Sequence, residues 1–216
     1  YISRANRIIP PLVVLSLIIG IIGWFTLTPQ ELKDYGKHAS TSLSFISNIQ
    51  YFRESGYFNT DSHEKLLLHT WSLSVEWQFY IILPIFLFII NYFTKKRFYL
   101  NFIFLTVLIA SLFLSIIITK SNPTAAFFLL PTRAWEMMVG GLIYLFFQKT
   151  KFNNHKSFLL EISGFILIIL SIIFFSEKTP WPSYNALIPV IGTFLILIAS
   201  NNNSIFTKNK IVQFLG

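Results

Sequence analysis

The sequence predicts an all-α protein built as a multi-pass bundle of transmembrane helices. Three observations predict it. Of 216 residues, 54% are hydrophobic and only 12% charged, about half of the roughly 25% charged share of a soluble domain. The apolar residues form runs near the ~20 residues that a helix needs to cross a hydrocarbon core of about 30 Å. The charges sit in small groups between those runs. Backbone polar groups cannot go unpaired in lipid, so the runs should be helices. The alternation expected of an outer-membrane barrel strand is absent.

The same numbers exclude other classes. With 24 Phe residues, the polar residues could not cover the apolar surface of a water-soluble enzyme. A disordered chain is excluded as well. Without any Cys there is no disulfide scaffold, thiolate nucleophile or Cys-ligated metal. The net charge of +8 does not indicate a nucleic-acid partner, because it is dispersed between apolar runs. The partner that the pattern implies is the lipid bilayer.

Six stretches are expected to span: residues 10–28, 70–93, 98–119, 124–147, 158–175 and 184–200. Lys and Arg between spans set the orientation. One set of connections holds ten of them (Arg4, Arg7, Lys95, Lys96, Arg97, Lys149, Lys151, Lys156, Lys208 and Lys210), with Glu161 the only nearby acid. The other holds six cations balanced by six acids: Glu31, Asp34, Glu54, Asp61, Glu64 and Glu177. The first set is expected in the cytoplasm, and the alternation closes over six spans. Residues 38–52 are moderately apolar but short and Ser-rich. They are expected outside, as a re-entrant or interfacial helix, because a span there would invert every later one. Pro180 and Pro182 mark a short external turn, with Trp181 and Tyr184 at interface depth. The chain begins with Tyr1, and its only Met residues are Met137 and Met138. It is therefore expected to be an internal piece of a longer protein, residues 1–216 forming part of one membrane domain truncated at both ends.

Ionisable groups inside spans cost roughly 2.5–3.5 kcal/mol each on insertion scales and are candidates for function. In "LLLHTWSLSVEWQFYIILPIF", His69, Ser72, Glu76 and Tyr80 fall on one helical face. A carboxylate near an imidazole on a desolvated face suits proton transfer. Alternatively, His69 sits in interfacial water and Glu76 pairs with a cation on another helix. In "LLPTRAWEMMVGG", Arg133 and Glu136 can neutralise one another three residues apart. Pro131 should kink that span, and Gly140 and Gly141 permit close helix approach. Either a structural ion pair or a functional one fits. In "YISRANRIIPP", Arg4 and Arg7 could hold a diphosphate in the fork geometry of guanidinium, or simply anchor the cytoplasmic side. No cluster has metal-ligand spacing, and no Gly-rich phosphate loop is present.

Together these segments resemble one family. "LLLHTWSLSVEWQFYIILP", with the lead-in "SGYFNTDSHEKLLLHTWSL", is similar to the signature of the acyltransferase-3 family of bacterial membrane O-acyltransferases. "YISRANRIIP" resembles its cytoplasmic Arg-x-x-Arg segment, and "SNPTAAFFLLPTRAWEMMVGG" its later Pro-Thr-Arg-x-Trp-Glu segment. The resemblance implies transfer of an acyl group, often acetyl, from cytoplasmic acyl-CoA to a hydroxyl of a surface glycan such as lipopolysaccharide O-antigen, peptidoglycan or exopolysaccharide. It implies a bacterial inner-membrane location and no permanently bound cofactor, acyl-CoA being the donor substrate. By position, Arg4 and Arg7 would hold the CoA phosphates. His69, Ser72 and Glu76 would lie in the reaction pore, lined or braced by Arg133 and Glu136. The family's main His belongs to a span upstream of residue 1. Trp77 departs from the pattern, standing where many relatives have a second Glu. From the residues alone, a transporter of a lipid-linked sugar or proton-coupled solute and a scaffold with structural ion pairs stay open beside the enzyme.

Overall fold

In a computed structural model, residues 2–55, 65–94, 96–147, 150, 152–176 and 178–199 are described. The charges at Asp61, Glu64, Lys95, Lys149, Lys151, Glu177, Lys208 and Lys210, and the end of the last expected span, lie outside them. The described residues form helices and no strand. They fall into two compact units, Tyr1–Phe102 with Asn122–Thr132, and Ile103–Ser121 with Arg133–Gly216.

The first unit opens with α1 (Ile2–Thr26). This helix starts eight residues before the expected span, so Arg4 and Arg7 are helical rather than in a connection. Pro10 and Pro11 lie inside it, each removing one backbone hydrogen bond. After a break at Leu27–Thr28, α2 (Pro29–Leu43) is started by a capping box. The Thr28 hydroxyl accepts from the Glu31 amide, and Glu31 Oε2 accepts from the Thr28 amide at 2.7 Å, satisfying two donors at the helix start. The stretch expected as one re-entrant or interfacial helix at 38–52 is instead the end of α2 and a separate α3 (Ser47–Glu54). Phe45 separates them with φ 55°, a conformation that costs an L-residue about 1–2 kcal/mol. Its ring is buried and stacks on Trp77 at 4.7 Å, which gives the residue in the place of the second Glu a packing role. Next come α4 (Thr70–Thr94) and α5 (Arg97–Ser121), close to their expected bounds.

The expected span at 124–147 is broken. It consists of α6 (Pro123–Phe128), an extended Leu129, α7 (Leu130–Leu142) and a π-helical turn (Ile143–Phe147). Pro131 explains the break: it has no N–H for the carbonyl of Phe127 and its ring clashes there, so the residue suits only the first turn of a new helix. Thr132, fully buried, donates to the carbonyls of Ala126 (2.9 Å) and Leu129 (2.8 Å). The Ala126 carbonyl, left without a backbone donor by the break, would otherwise be unpaired where no water can reach it.

In the second unit, α8 (Asn154–Phe174) packs on α9 (Leu187–Ala199). A Cβ built on Gly164 would stand 2.5 Å from the Gly192 carbonyl oxygen, and one on Gly192 2.8 Å from that of Gly164. Only glycine fits both places, and the pair lets the two backbones touch. The close approach expected at Gly140 and Gly141 is partial: a Cβ on Gly141 would press on Phe104, whereas Gly140 opens on free space.

Among the described residues four helices, α1, α4, α5 and α8, are long and apolar enough to cross a membrane, and the apolar segment Tyr184–Ala199 is shorter. Burial is inverted relative to a soluble protein. Phe25, Phe93 and Phe174 are 82%, 78% and 74% exposed, while Ser42, Ser47, Ser74, Ser115 and Thr132 are buried. Small hydroxyl residues inside and large apolar residues outside are what lipid as solvent selects. The chain is a multi-pass membrane protein.

Candidate functional site

In the first unit, α4 carries the polar face. His69 lies exposed in the turn before α4, and its carbonyl accepts from the Ser72 hydroxyl at 3.0 Å. Glu76 is half-buried and makes no ion pair among the described residues. Tyr80, one turn further along, meets α1. The Arg4 guanidinium lies over the Tyr80 ring, its carbon 4.3 Å from the centroid, and Nη1 donates to the Tyr80 hydroxyl. Arg4 is thus brought to the middle of α4, on the face that carries Glu76. Arg7 is exposed and not engaged in this way.

In the second unit, Arg133 and Glu136 form the expected pair. Arg133 Nη2 donates to Glu136 Oε2 at 2.8 Å, and Nε lies 3.2 and 3.3 Å from the two carboxylate oxygens. Their side chains are 16% and 17% exposed, so the forked contact is largely desolvated and stronger than a surface pair. Glu136 also lines a cavity of about 320 Å³ with Gly140, Pro189, Thr193, Phe194 and Leu197. Behind the pair, Trp135 is buried and its amide donates to the Ser111 hydroxyl at 3.1 Å, tying α7 to α5.

A further polar cluster of the first unit involves residues that the sequence did not single out. His38 on α2 is buried, and its Nε2 lies 2.8 and 3.0 Å from the two Glu54 oxygens. Gln50 donates to Glu54 at 2.6 Å, and the ammonium groups of Lys37 and Lys65 stand 3.3 and 3.4 Å away. Burial opposes ionisation of Glu54. The hydrogen bonds from Gln50 and His38 and the charges of His38 and Lys65 outweigh it and hold the carboxyl down at about 2. The Tyr51 ring packs on His38 at 4.9 Å, and burial pushes its hydroxyl well above the usual range. Below this latch runs a buried chain of hydroxyls, Ser42 to Thr70 at 2.6 Å and Ser47 to Ser74 at 2.7 Å. Asn48 and Gln78 exchange an amide contact at 2.8 Å, and Asn48 reaches the Phe128 carbonyl at 3.1 Å. These bonds fix α2, α3 and α6 against the start of α4 and so orient the face that bears Ser72 and Glu76. The only sequence signal was the run of Ser residues between 38 and 52, which looks the same in a polar loop.

Among the described residues no group of three His, Asp or Glu side chains could hold a metal ion. What the arrangement offers is the Arg4 guanidinium of α1 held at Tyr80, one turn of α4 beyond the residue that carries the Glu76 carboxylate, and a largely desolvated Arg–Glu pair in the other unit.

Comparison with known proteins gives these groups a context. The acyltransferase-3 model, described as an acyltransferase domain, matches residues 1–216. An uncharacterized protein of Haemophilus influenzae is 25% identical over 215 residues, covering 95% of this chain and 87% of that protein. A Bacillus subtilis protein named "Putative peptidoglycan O-acetyltransferase YrhL" is 26% identical over 211 residues, 92% of this chain and 33% of its own length. A "Putative O-acetyltransferase" of Staphylococcus aureus is 26% identical over 232 residues, covering the whole chain and 38% of the relative. The chain thus spans about a third of the two relatives with named activities. No solved structure matches it. Signature, helical membrane architecture and full-length family match agree, and the chain belongs to the acyltransferase-3 family of acyltransferases.

Proposed function

We propose that this chain is the donor-binding and pore part of an enzyme of the bacterial inner membrane that moves an acyl group, acetyl in the first instance, from cytoplasmic acyl-CoA to a hydroxyl of a cell-surface glycan. One observation carries this reading beyond the family. The α4 face bearing Ser72 and Glu76 receives Arg4 at Tyr80, so a cation suited to phosphate is held by the residue one helical turn along from Glu76, a carboxylate without an ion pair among the described residues. Peptidoglycan, the glycan in the name of the Bacillus subtilis relative, is the acceptor to assay first, and lipopolysaccharide O-antigen the second.

In the proposed reaction the sugar oxygen attacks the thioester carbonyl carbon. A general base takes the hydroxyl proton as the C–O bond forms. The C–S bond then breaks, and the departing thiolate receives a proton. The family pattern assigns the base to a His upstream of this chain. Glu76 or His69 orients that base or relays its proton, and Ser72 lies beside them on the same face. Arg4 and Arg7 hold the donor phosphates by charge-assisted hydrogen bonds. Arg133, oriented by Glu136, supplies donors to the oxyanion.

The test uses the full-length protein in cells lacking the native copy, with alkali-labile acetate on isolated peptidoglycan as the readout. Glu76→Gln and Arg133→Ala should each lower acylation by about 10²-fold or more while the protein stays in the membrane. Wild-type acylation in both variants would overturn the assignment. Movement of substrate across the membrane without acyl-CoA would favour a transporter instead.

A further inference from the structure

We propose that Tyr80 is a positioning residue for the donor's phosphates: it seats the Arg4 guanidinium at the middle of α4 and leaves its other N–H groups free for an anion. This inference rests on the donor reading above. The contact fixes Arg4 in two ways. The ring face at 4.3 Å sets the plane of the guanidinium, and the phenolic oxygen accepting from Nη1 sets its rotation. Guanidinium carries five N–H donors in a rigid fork, and this contact uses one. No carboxylate pairs with Arg4 among the described residues, so the seat is not one half of a structural ion pair.

The position of the seat agrees with the length of the donor. Along α4 at 1.5 Å per residue, Ser72 lies roughly 12 Å from Tyr80, and His69 stands beyond it in the turn before the helix. The phosphopantetheine arm of CoA has the backbone length of about four extended residues, roughly 14 Å. Phosphates held at Arg4 would therefore let the thioester reach the Ser72 end of the same face, passing Glu76 on the way.

Binding of CoA, and of pantetheine as the phosphate-free control, to the purified full-length protein in detergent tests this by calorimetry, together with donor KM and kcat. Tyr80→Leu should weaken CoA binding about tenfold and raise donor KM similarly, and Tyr80→Phe, which keeps the ring, should weaken it about threefold. Pantetheine binding and kcat should change less than twofold. Circular dichroism and gel filtration report whether each variant is folded. If Tyr80→Leu does not fold, Tyr80→Phe and its coupling to Arg4→Lys decide. Wild-type CoA affinity in the Tyr80 variants, with Arg4→Ala weakened, would overturn this inference and leave the donor reading standing. An equal loss of CoA and pantetheine binding would overturn it too. Wild-type CoA affinity in Arg4→Ala would overturn the donor reading itself.

Discussion

The Glu54 latch makes a stability prediction whose size follows from its geometry. Glu54 accepts from His38 and Gln50 and faces Lys37 and Lys65, with its side chain 21% exposed. Its carboxyl falls from an ordinary 4.5 to about 2 on folding. Each pH unit is worth about 1.4 kcal/mol, so the ionised form contributes about 3 kcal/mol at neutral pH. The folded value is the lower one. The contribution is therefore complete above pH 4.5 and is lost as pH falls toward 2, with about 2 kcal/mol gone by pH 3. Glu54→Gln should remove both the contribution and its pH dependence. In a chain of this size, 1 kcal/mol shifts the melting temperature by about 2–4 °C. The variant should therefore melt about 6–12 °C below wild type at pH 7, and the gap should narrow steadily from pH 4.5 to pH 3. Intrinsic Trp fluorescence during thermal unfolding in detergent measures both. A variant that melts with wild type at pH 7, or a gap that is constant with pH, would refute the latch. His38→Gln should mimic the loss at pH 7 in part, since Gln50 and Lys65 remain.

Further expectations follow from packing. Gly164→Leu would force a side chain into the Gly192 carbonyl, 2.5 Å from the position of its Cβ; separation of α8 from α9 should lower the melting temperature and the membrane yield, and normal values for both would contradict the contact. Thr132→Val removes the hydroxyl that serves the Ala126 and Leu129 carbonyls and should cost about 1–3 kcal/mol, whereas Thr132→Ser should retain most of it, as read by thermal melting. Arg133→Ala strands a largely desolvated Glu136 and should destabilise by about 3–5 kcal/mol. The double variant Arg133→Met with Glu136→Met should recover stability but not acylation, which separates the structural part of the pair from the chemical part.

Composition and run length by themselves determined that this is a helical membrane protein, because lipid leaves the backbone only helices or closed barrels and the runs are long and without barrel-strand alternation. The face of Ser72, Glu76 and Tyr80 was readable because ionisable groups are rare in apolar runs and their spacing shows as one helical face, whereas His69, expected on that face, lies in the turn before α4. The Arg133–Glu136 pair was readable because it is local, three residues apart. Three features were decided only by tertiary structure. Arg4 and Tyr80 are 76 residues apart, and no periodicity links residues on different helices. His38, Glu54 and Lys65 meet only after α2, α3 and the turn before α4 have packed, so their charges resembled ordinary loop charges until then. The span at 124–147 was expected to kink at Pro131; Pro131 instead breaks it into α6 and α7, and the buried Thr132 hydroxyl makes the interrupted backbone tolerable in an apolar setting. A helix can be read from its own residues because its bonds are local, whereas the partners of its polar face are set by which helices meet and at what register.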